Sequence, residues 1–346
     1  MTLQEKIISL FRWYADGITP QEIIVIDWSI LQYHRLDMIY YEYCAQQGIA
    51  IPRKMQERKL GIASKVLKHV EVSHRCAELL KRENIDFVFL KGISLLDSVY
   101  QKPWHRYFND VDLFVDEKAI NNVAQIFLNQ GYQYGYYCHG KILPASRAEI
   151  RYQRLFTHEL YNLTKRDQDG FVSNIDINSL FSWVGNSDRD SILRLSDISA
   201  HTFSSNGLPC LDNIANLVHL CSHLYNEAVF FLQNPNFSGG DPCELLLNRV
   251  FDIALLVKQM SNIDFQSAVE FAMESNCIKK LAFAFAIVDA VFCSDYKGSN
   301  KALSQYTTEP NIYYSKTYKK MTWPISIRER IFDLGKKESI SRCLFK

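Results

Sequence analysis

The chain has 346 residues, of which 47% are hydrophobic and 22% are charged, and its formal net charge is +1. This length is enough for one large domain or two ordinary ones with a buried core. A near-neutral charge gives no reason to expect nucleic acid as a partner. The segment 316–346 is more basic, and either a solvated helical face or a contact with phosphates would account for it.

The nine cysteines are scattered and form no CxxC pair. This pattern is typical of reduced thiols rather than of a disulfide framework. The first residues are mixed and charged, so we expect no cleaved leader. The most apolar run, residues 281–293, is too short to span a bilayer and contains Asp289. We therefore expect a cytoplasmic protein with no membrane span.

Hydrophobic periodicity divides the chain into three regions. Residues 1–84 show helical spacing, and so does most of the region 183–346. Between them, β-rich runs alternate with helical segments; these runs are "IDFVFL", "DVDLFV", "YQYGYY", "RLFTHELYNL" and "FVSNIDINSLF". The sequence therefore predicts an α+β fold with a small mixed-sheet core at 85–182, flanked by N-terminal and C-terminal helical regions.

Two acidic residues lie together in the second of these strands. Asp110 and Asp112 are separated by one residue, and residues i and i+2 of a strand point to the same face. Neighbouring carboxylates repel each other unless a cation neutralises them. Mg²⁺ accepts one or two carboxylates and completes its shell with water and phosphate oxygens. The pattern therefore predicts a Mg²⁺ site, with a solvated turn as the alternative.

Four other residues could complete such a site. Lys91 and Gly92 follow the first strand directly, where a lysine charge and close backbone N–H groups could hold an anion. Arg106 could pair with the acids or bind a phosphate. Asp176 lies in an apolar strand, and it could ligate a second metal or take a proton from an attacking hydroxyl. The structural alternatives are an ordinary strand-to-helix turn and a surface arginine.

The segment "FLKGISLLDSVYQKPWHRYFNDVDLFV" (89–115) resembles a poorly characterised bacterial nucleotidyltransferase family in its order of LKG, arginine and DxDL. That family is a distant branch of the DNA polymerase β-like superfamily. The specific part of the resemblance covers residues 87–178. It implies an NTP substrate, two Mg²⁺ ions, and transfer of a nucleoside monophosphate to a hydroxyl-type acceptor with release of pyrophosphate. The acceptor would be a small molecule, a peptide or a protein.

The same resemblance gives each motif residue a role. The predicted catalytic and metal-binding carboxylates are Asp110, Asp112 and Asp176. The predicted nucleotide-binding residues are Lys91, Gly92, Ser94 and Arg106. Residues that would support the site or face the acceptor are His158, Asn178, His219, His223 and Asp252.

The chain departs from the family pattern after the third acid. The family usually continues with Leu-His-Trp, whereas Asn178 stands here at the histidine position, which would alter acceptor chemistry or weaken activity. His219 and His223 have helical metal spacing without an HExxH motif, so histidines at a helix interface, bonded for example to Asp252, are the alternative. The absence of GxxxxGK[ST] and GxGxxG motifs disfavours P-loop and Rossmann proteins.

Three functions stay open at this point. The first is an active nucleotidyltransferase. The second is a catalytically weak or inactive module that binds a nucleotide or a partner. The third is a toxin-like enzyme that adenylylates a protein.

Overall fold

The computed structural model describes residues 1–157, 159–181, 193–230, 245–294, 302–306, 309–315, 317 and 319–344. These residues form two compact units. We call one the helical unit (the described residues of 1–59 and 217–344) and the other the sheet unit (those of 60–181 and 193–216). Helices together with a mixed eight-stranded sheet confirm the predicted α+β class with helical flanks.

The described helices follow one another along the chain. They are α1 (Leu3–Asp16), α2 (Trp28–Tyr33), α3 (Asp37–Gln46), α4 (Arg53–Arg82), α5 (Lys91–Leu95), α6 (Ile120–Asn129), α7 (Arg147–Thr157), α8 (Asn213–Val229), α9 (Leu247–Gln259), α10 (Asn262–Glu274), α11 (Ile278–Phe292), α12 (Ile327–Phe332) and α13 (Leu334–Leu344). In the described ranges, no helix combines the length and apolarity needed to cross a bilayer.

The described strands form two sheets. They are β1 (Phe87–Phe89), β2 (Val111–Val115), β3 (Gln133–Cys138), β4 (Lys141–Pro144), β5 (Leu163–Arg166), β6 (Val172–Asn178), β7 (Thr202–Ser205), β8 (Leu208–Leu211), β9 (Ile312–Tyr314) and β10 (Lys320–Thr322). The large sheet has the order β4-β3-β5-β6-β2-β1-β8-β7, and β9 pairs with β10 separately. At its centre, β2 runs parallel to β6 and antiparallel to β1.

The central strands have one apolar face and one polar face. The buried side chains of the apolar face are Val111, Leu113, Leu163, Ile175 and Ile177. The alternate positions carry polar side chains, which are Asp112, Thr164, Asn174, Asp176 and Asn178. Because side chains alternate along a strand, burial of the first set holds the second set on the opposite face.

The helical unit has an aromatic core. The ring of Phe11 on α1 lies 5.1 Å from that of Phe251 on α9 and 4.4 Å from that of Phe292 on α11. Helix α1 begins with a capping box, in which the Thr2 hydroxyl accepts from the Glu5 N–H. This cap starts the amphipathic helix that carries Phe11 into the core.

The helical unit also contains a buried histidine with a defined protonation. The Nε2 atom of His34 lies 3.0 Å from the Ile331 carbonyl oxygen, and Nδ1 accepts from the Leu247 N–H at 3.3 Å. Since a carbonyl only accepts and an amide N–H only donates, the ring is neutral with its proton on Nε2. Burial, followed by the charge of Lys337, lowers the pKa of His34 to about 3.

Two local predictions were wrong. Residues 154–163 were expected to form a strand, but α7 continues to Thr157 and β5 begins only at Leu163. The helix begins at a capping box, because Ser146 and Glu149 exchange backbone and side-chain hydrogen bonds of 2.7 and 3.2 Å. The chain after 205 was expected to be helical, yet β7 and β8 form a hairpin there and β8 pairs with β1.

Candidate active site

Three predicted carboxylates are brought to one edge of the polar face. Asp112 on β2 is the direct register partner of Asp176 on the parallel strand β6, so their side chains point to the same side. Asp110 lies two residues before Asp112, at the entry to β2. Asp112 is only 4% exposed, whereas Asp110 and Asp176 are half-buried. The two half-buried carboxylates are the ones that water or a ligand can reach.

Lys91 meets these carboxylates from the end of β1. Its backbone has φ +47°, in the left-handed region that a residue with a side chain rarely adopts. The Lys91 Nζ donates to Asp112 Oδ1 at 2.7 Å, and its side chain is 19% exposed. Burial alone lowers the pKa of Lys91, but the carboxylates, led by Asp112, outweigh it and raise that pKa to about 12. The strained backbone thus places a permanent positive charge on the acidic face.

Gly92 is required by packing. A Cβ atom built at this position would lie 2.6 Å from Cγ of Phe108. The ring of Phe108 therefore presses against the backbone that follows Lys91. Within the same turn, the Ser94 hydroxyl donates to the Lys91 carbonyl at 2.7 Å. The turn of residues 91–94, which we call the Lys91 loop, is thus held by contacts with Phe108 and within itself. It belongs to the five-residue helix α5.

Burial and neighbouring carboxylates raise the pKa of Asp112 and of Asp176. Burial raises the pKa of Asp112 to about 6; the Lys91 ammonium counteracts the rise, and the charge of Asp110 adds to it. Burial also raises the pKa of Asp176 well above its ordinary value, and the charges of Asp110 and Asp112 raise it further. A divalent cation would relieve this repulsion.

The donor set fits Mg²⁺. Carboxylate oxygens are the hard ligands that this ion prefers, and one or two of them suffice when water and phosphate oxygens complete the shell. Among the residues that the structure describes, no group of three or more His, Cys, Asp or Glu side chains could hold a metal ion as they stand, so water and phosphate oxygens would have to supply part of the shell. The residues that would supply oxygen ligands are Asp110, Asp112 and Asp176, of which Asp110 and Asp176 are half-buried.

Two other predicted residues of the sheet unit, Arg106 and Asn178, donate hydrogen bonds to backbone carbonyls. Arg106 is buried, and its Nη1 donates to the Tyr107 carbonyl at 3.0 Å. Asn178 is buried at the end of β6, and its Nδ2 donates to the Leu113 carbonyl of β2 at 3.3 Å. Its side chain therefore ties together the two strands that carry Asp112 and Asp176. His158 lies outside the described residues.

The remaining predicted residues belong to the helical unit. His219 and His223 lie on α8, with ring centroids 6.4 Å apart. The Nδ1 of His223 lies 3.2 Å from the carboxylate of Glu227, which also pairs with Arg249 on α9. Asp252 is buried on α9. The structure thus places His223 in contact with Glu227 within its own unit.

Two residues near the carboxylates were missed from the sequence. Glu159 lies directly after α7, and its charge raises the pKa of both Asp112 and Asp176. The strand predicted across that segment concealed its position. His69 is fully buried on α4, with its ring 5.4 Å from that of Phe108. Burial and then Lys65 lower the pKa of His69 to about 4, so the ring is neutral at physiological pH.

Comparison with protein families gives a match over most of the chain. The model of a family described as uncharacterised nucleotidyltransferase matches residues 28–293, which include the Lys91 loop and all the carboxylates described above. A search of curated proteins gives no significant match. Because the match covers more than half of the chain, the protein belongs to the uncharacterised nucleotidyltransferase family.

Proposed function

We propose that this protein is a Mg²⁺-dependent nucleotidyltransferase of the DNA polymerase β-like type. It transfers a nucleoside monophosphate from an NTP to a hydroxyl group of a small molecule, peptide or protein, and it releases pyrophosphate. The observation that carries the proposal is the register pairing of Asp112 with Asp176, beside Asp110 and the ammonium of Lys91.

The chain's own residues divide the work between metal and phosphates. Asp110, Asp112 and Asp176 supply the oxygen ligands. Bound Mg²⁺ would neutralise phosphate charge and lower the pKa of the acceptor hydroxyl. When an NTP binds, the Lys91 ammonium would release Asp112 and contact the phosphates instead, and it would thereby neutralise their charge. Such positioning and charge stabilisation account for most catalysis of this reaction class.

The nucleoside monophosphate is transferred in a single displacement at the α-phosphorus. The acceptor oxygen forms a bond to the α-phosphorus while the bond from that phosphorus to pyrophosphate breaks. The acceptor proton passes to a carboxylate of the site in the same step, and the electron pair of the broken bond stays with pyrophosphate. Transfer to a protein hydroxyl is one form of this reaction and needs no different site.

The alternative of an inactive binding module was motivated by Asn178. Its side-chain bond to Leu113 gives this residue a structural reason to be there, because it joins the two carboxylate-bearing strands. The departure from the family histidine is therefore compatible with an intact site, which supports catalysis over binding alone.

The proposal is tested by pyrophosphate release. The purified protein is incubated with each of the four NTPs, Mg²⁺ and a cell extract as the source of acceptors. We expect release with at least one NTP, none with Asp110→Asn/Asp112→Asn, and normal release with the exposed control Glu117→Gln. Mass spectrometry of the products then identifies the acceptor. Equal release by the wild type and the Asp110→Asn/Asp112→Asn variant would contradict the proposal.

A further inference from the structure

The segment between α7 and β5 continues the sheet beside β6. Glu159 forms an antiparallel bridge with Asn178, and the Leu160 N–H donates to the Ile177 carbonyl at 2.9 Å. Paired residues of neighbouring strands point to the same face. Glu159 therefore shares a face with Asn178, and Asp176 lies on that face two residues earlier.

A change in the strand register places Glu159 on the face that carries Asp176. In β5, Leu163 is the partner of Ile175, and continuing this register would place Leu160 opposite Asn178. The observed partner is Glu159, so one extra residue has been inserted, as in a β-bulge. A one-residue shift turns each side chain to the other face. It sends Leu160, which is 3% exposed, to the apolar side and brings Glu159 to the acidic side.

Glu159 lies diagonally across from Asp176. Diagonal Cβ atoms in such a pair are about 7–8 Å apart, a distance that a glutamate side chain can bridge. The electrostatic effect agrees, since Glu159 raises the pKa of Asp176 and of Asp112, and the residue is half-buried rather than sealed from water.

The strand order shows on which side of the aspartates the backbone of Glu159 lies. The Lys91 loop follows β1, and the sheet continues through β2 and β6 to the segment that carries Glu159. Along the sheet, the backbones of Glu159 and Lys91 therefore lie on opposite sides of β2 and β6, although the charge of Glu159 also reaches Lys91 and raises its pKa. In phosphoryl transfer the attacking and leaving oxygens lie roughly in line, on opposite sides of the phosphorus. With pyrophosphate on the Lys91 side, the acceptor approaches from the Glu159 side.

We propose that Glu159 is the catalytic base, which takes the proton of the acceptor hydroxyl as that oxygen attacks the α-phosphorus. The O–H bond breaks toward the Glu159 carboxylate, the O–P bond forms, and pyrophosphate leaves with the electron pair of the broken bond. This inference rests on the proposed function. It leaves all three aspartates as metal ligands, so that none of them has to act as the base.

The test separates catalysis from nucleotide binding. Glu159→Gln is compared with the wild type, with Asp110→Asn, and with the exposed control Glu117→Gln. Binding of Mg²⁺ with an α,β-methylene NTP is measured by calorimetry, and kcat and NTP KM come from pyrophosphate release. We expect Glu159→Gln to lower kcat by roughly 100-fold or more while binding is kept, because a base contributes about 10²–10⁴-fold. Glu117→Gln is expected to match the wild type.

Each outcome decides one claim. An unchanged kcat in Glu159→Gln would refute the base role and leave the proposed function intact. Loss of Mg²⁺–nucleotide binding, as in Asp110→Asn, would make Glu159 a metal ligand and would also refute it. Wild-type protein that releases no pyrophosphate with any NTP would refute the proposed function and this inference together. If Glu159→Gln fails to fold, Glu159→Asp is measured instead, with reduced kcat and retained binding expected from the shorter carboxylate.

Discussion

Replacing Gly92 with alanine should destabilise the sheet unit and impair nucleotide binding together. The added Cβ would lie 2.6, 2.9 and 3.0 Å from three atoms of the Phe108 side chain. Carbon atoms prefer separations of about 3.5–4.0 Å, so the ring or the backbone after Lys91 must move by roughly 1 Å. Overpacking of this kind costs about 1–3 kcal/mol. The same movement displaces Lys91 from its position beside Asp112.

The assay is chemical denaturation followed by circular dichroism, with Gly61→Ala as the matched control. Gly61 lies inside α4, and a Cβ there would meet nothing within 4 Å. That control should gain about 0.5–1 kcal/mol of stability, because alanine is the better helix former.

A second variant tests the cause of the loss. In a Phe108→Ala background the cost of Gly92→Ala should shrink, since loss of Cγ and Cδ1 leaves only the contact with Cβ of residue 108 at 3.0 Å. Gly92→Ala as stable as Gly61→Ala, or an equal cost in both backgrounds, would refute the packing argument.

Two further predictions concern buried charge. The pKa of His34 is about 3 in the folded chain, against an ordinary histidine value of 6.5. Between those values only the unfolded chain gains this proton, so stability falls as pH falls below 6.5. Between pH 7.5 and 5.5, protonation of His34 in the unfolded chain should lower the free energy of unfolding by about 1.4 kcal/mol, as measured by denaturant titration. His34→Gln should remove this pH dependence. An unchanged dependence in that variant would contradict the assignment. Lys91→Met should cost about 3 kcal/mol by leaving Asp112 without its partner, and millimolar Mg²⁺ should restore more stability than it gives the wild type. Equal Mg²⁺ effects in a thermal-shift assay would count against the shared charge site, and the exposed Lys118→Met is the control.

The central strands could be predicted because their composition and their burial agree. The runs around Phe87, Asp112 and Asp176 are rich in β-forming apolar residues, and each forms a strand. The hairpin of β7 and β8 carries an Asn206-Gly207 turn, with φ +49° and +79°, which is a typical hairpin sequence that was overlooked. Here the local signal existed, but the short flanking strands did not show a clear alternation.

The sequence predicts which acidic residues each strand carries, but it does not predict how the strands pair. The i, i+2 spacing predicts a shared face for Asp112 and for Asp110, which lies just before β2, but it does not say which strand lies next to β2. The pairing of Asp112 with Asp176 depends on the parallel register of β2 and β6, which involves residues far apart in the chain. The register shift before β5 is likewise a tertiary feature, and for this reason Glu159 was missed.

The most direct test of the account is calorimetric binding of an α,β-methylene NTP to the full chain, with and without Mg²⁺. We expect the wild type to bind at least one nucleotide only when Mg²⁺ is present, and Asp110→Asn/Asp112→Asn to lose that binding while keeping its far-UV circular dichroism. Nucleotide binding that is the same without Mg²⁺, or that survives in the double variant, would contradict the claim that the acidic face of β2 and β6 is a metal–nucleotide site.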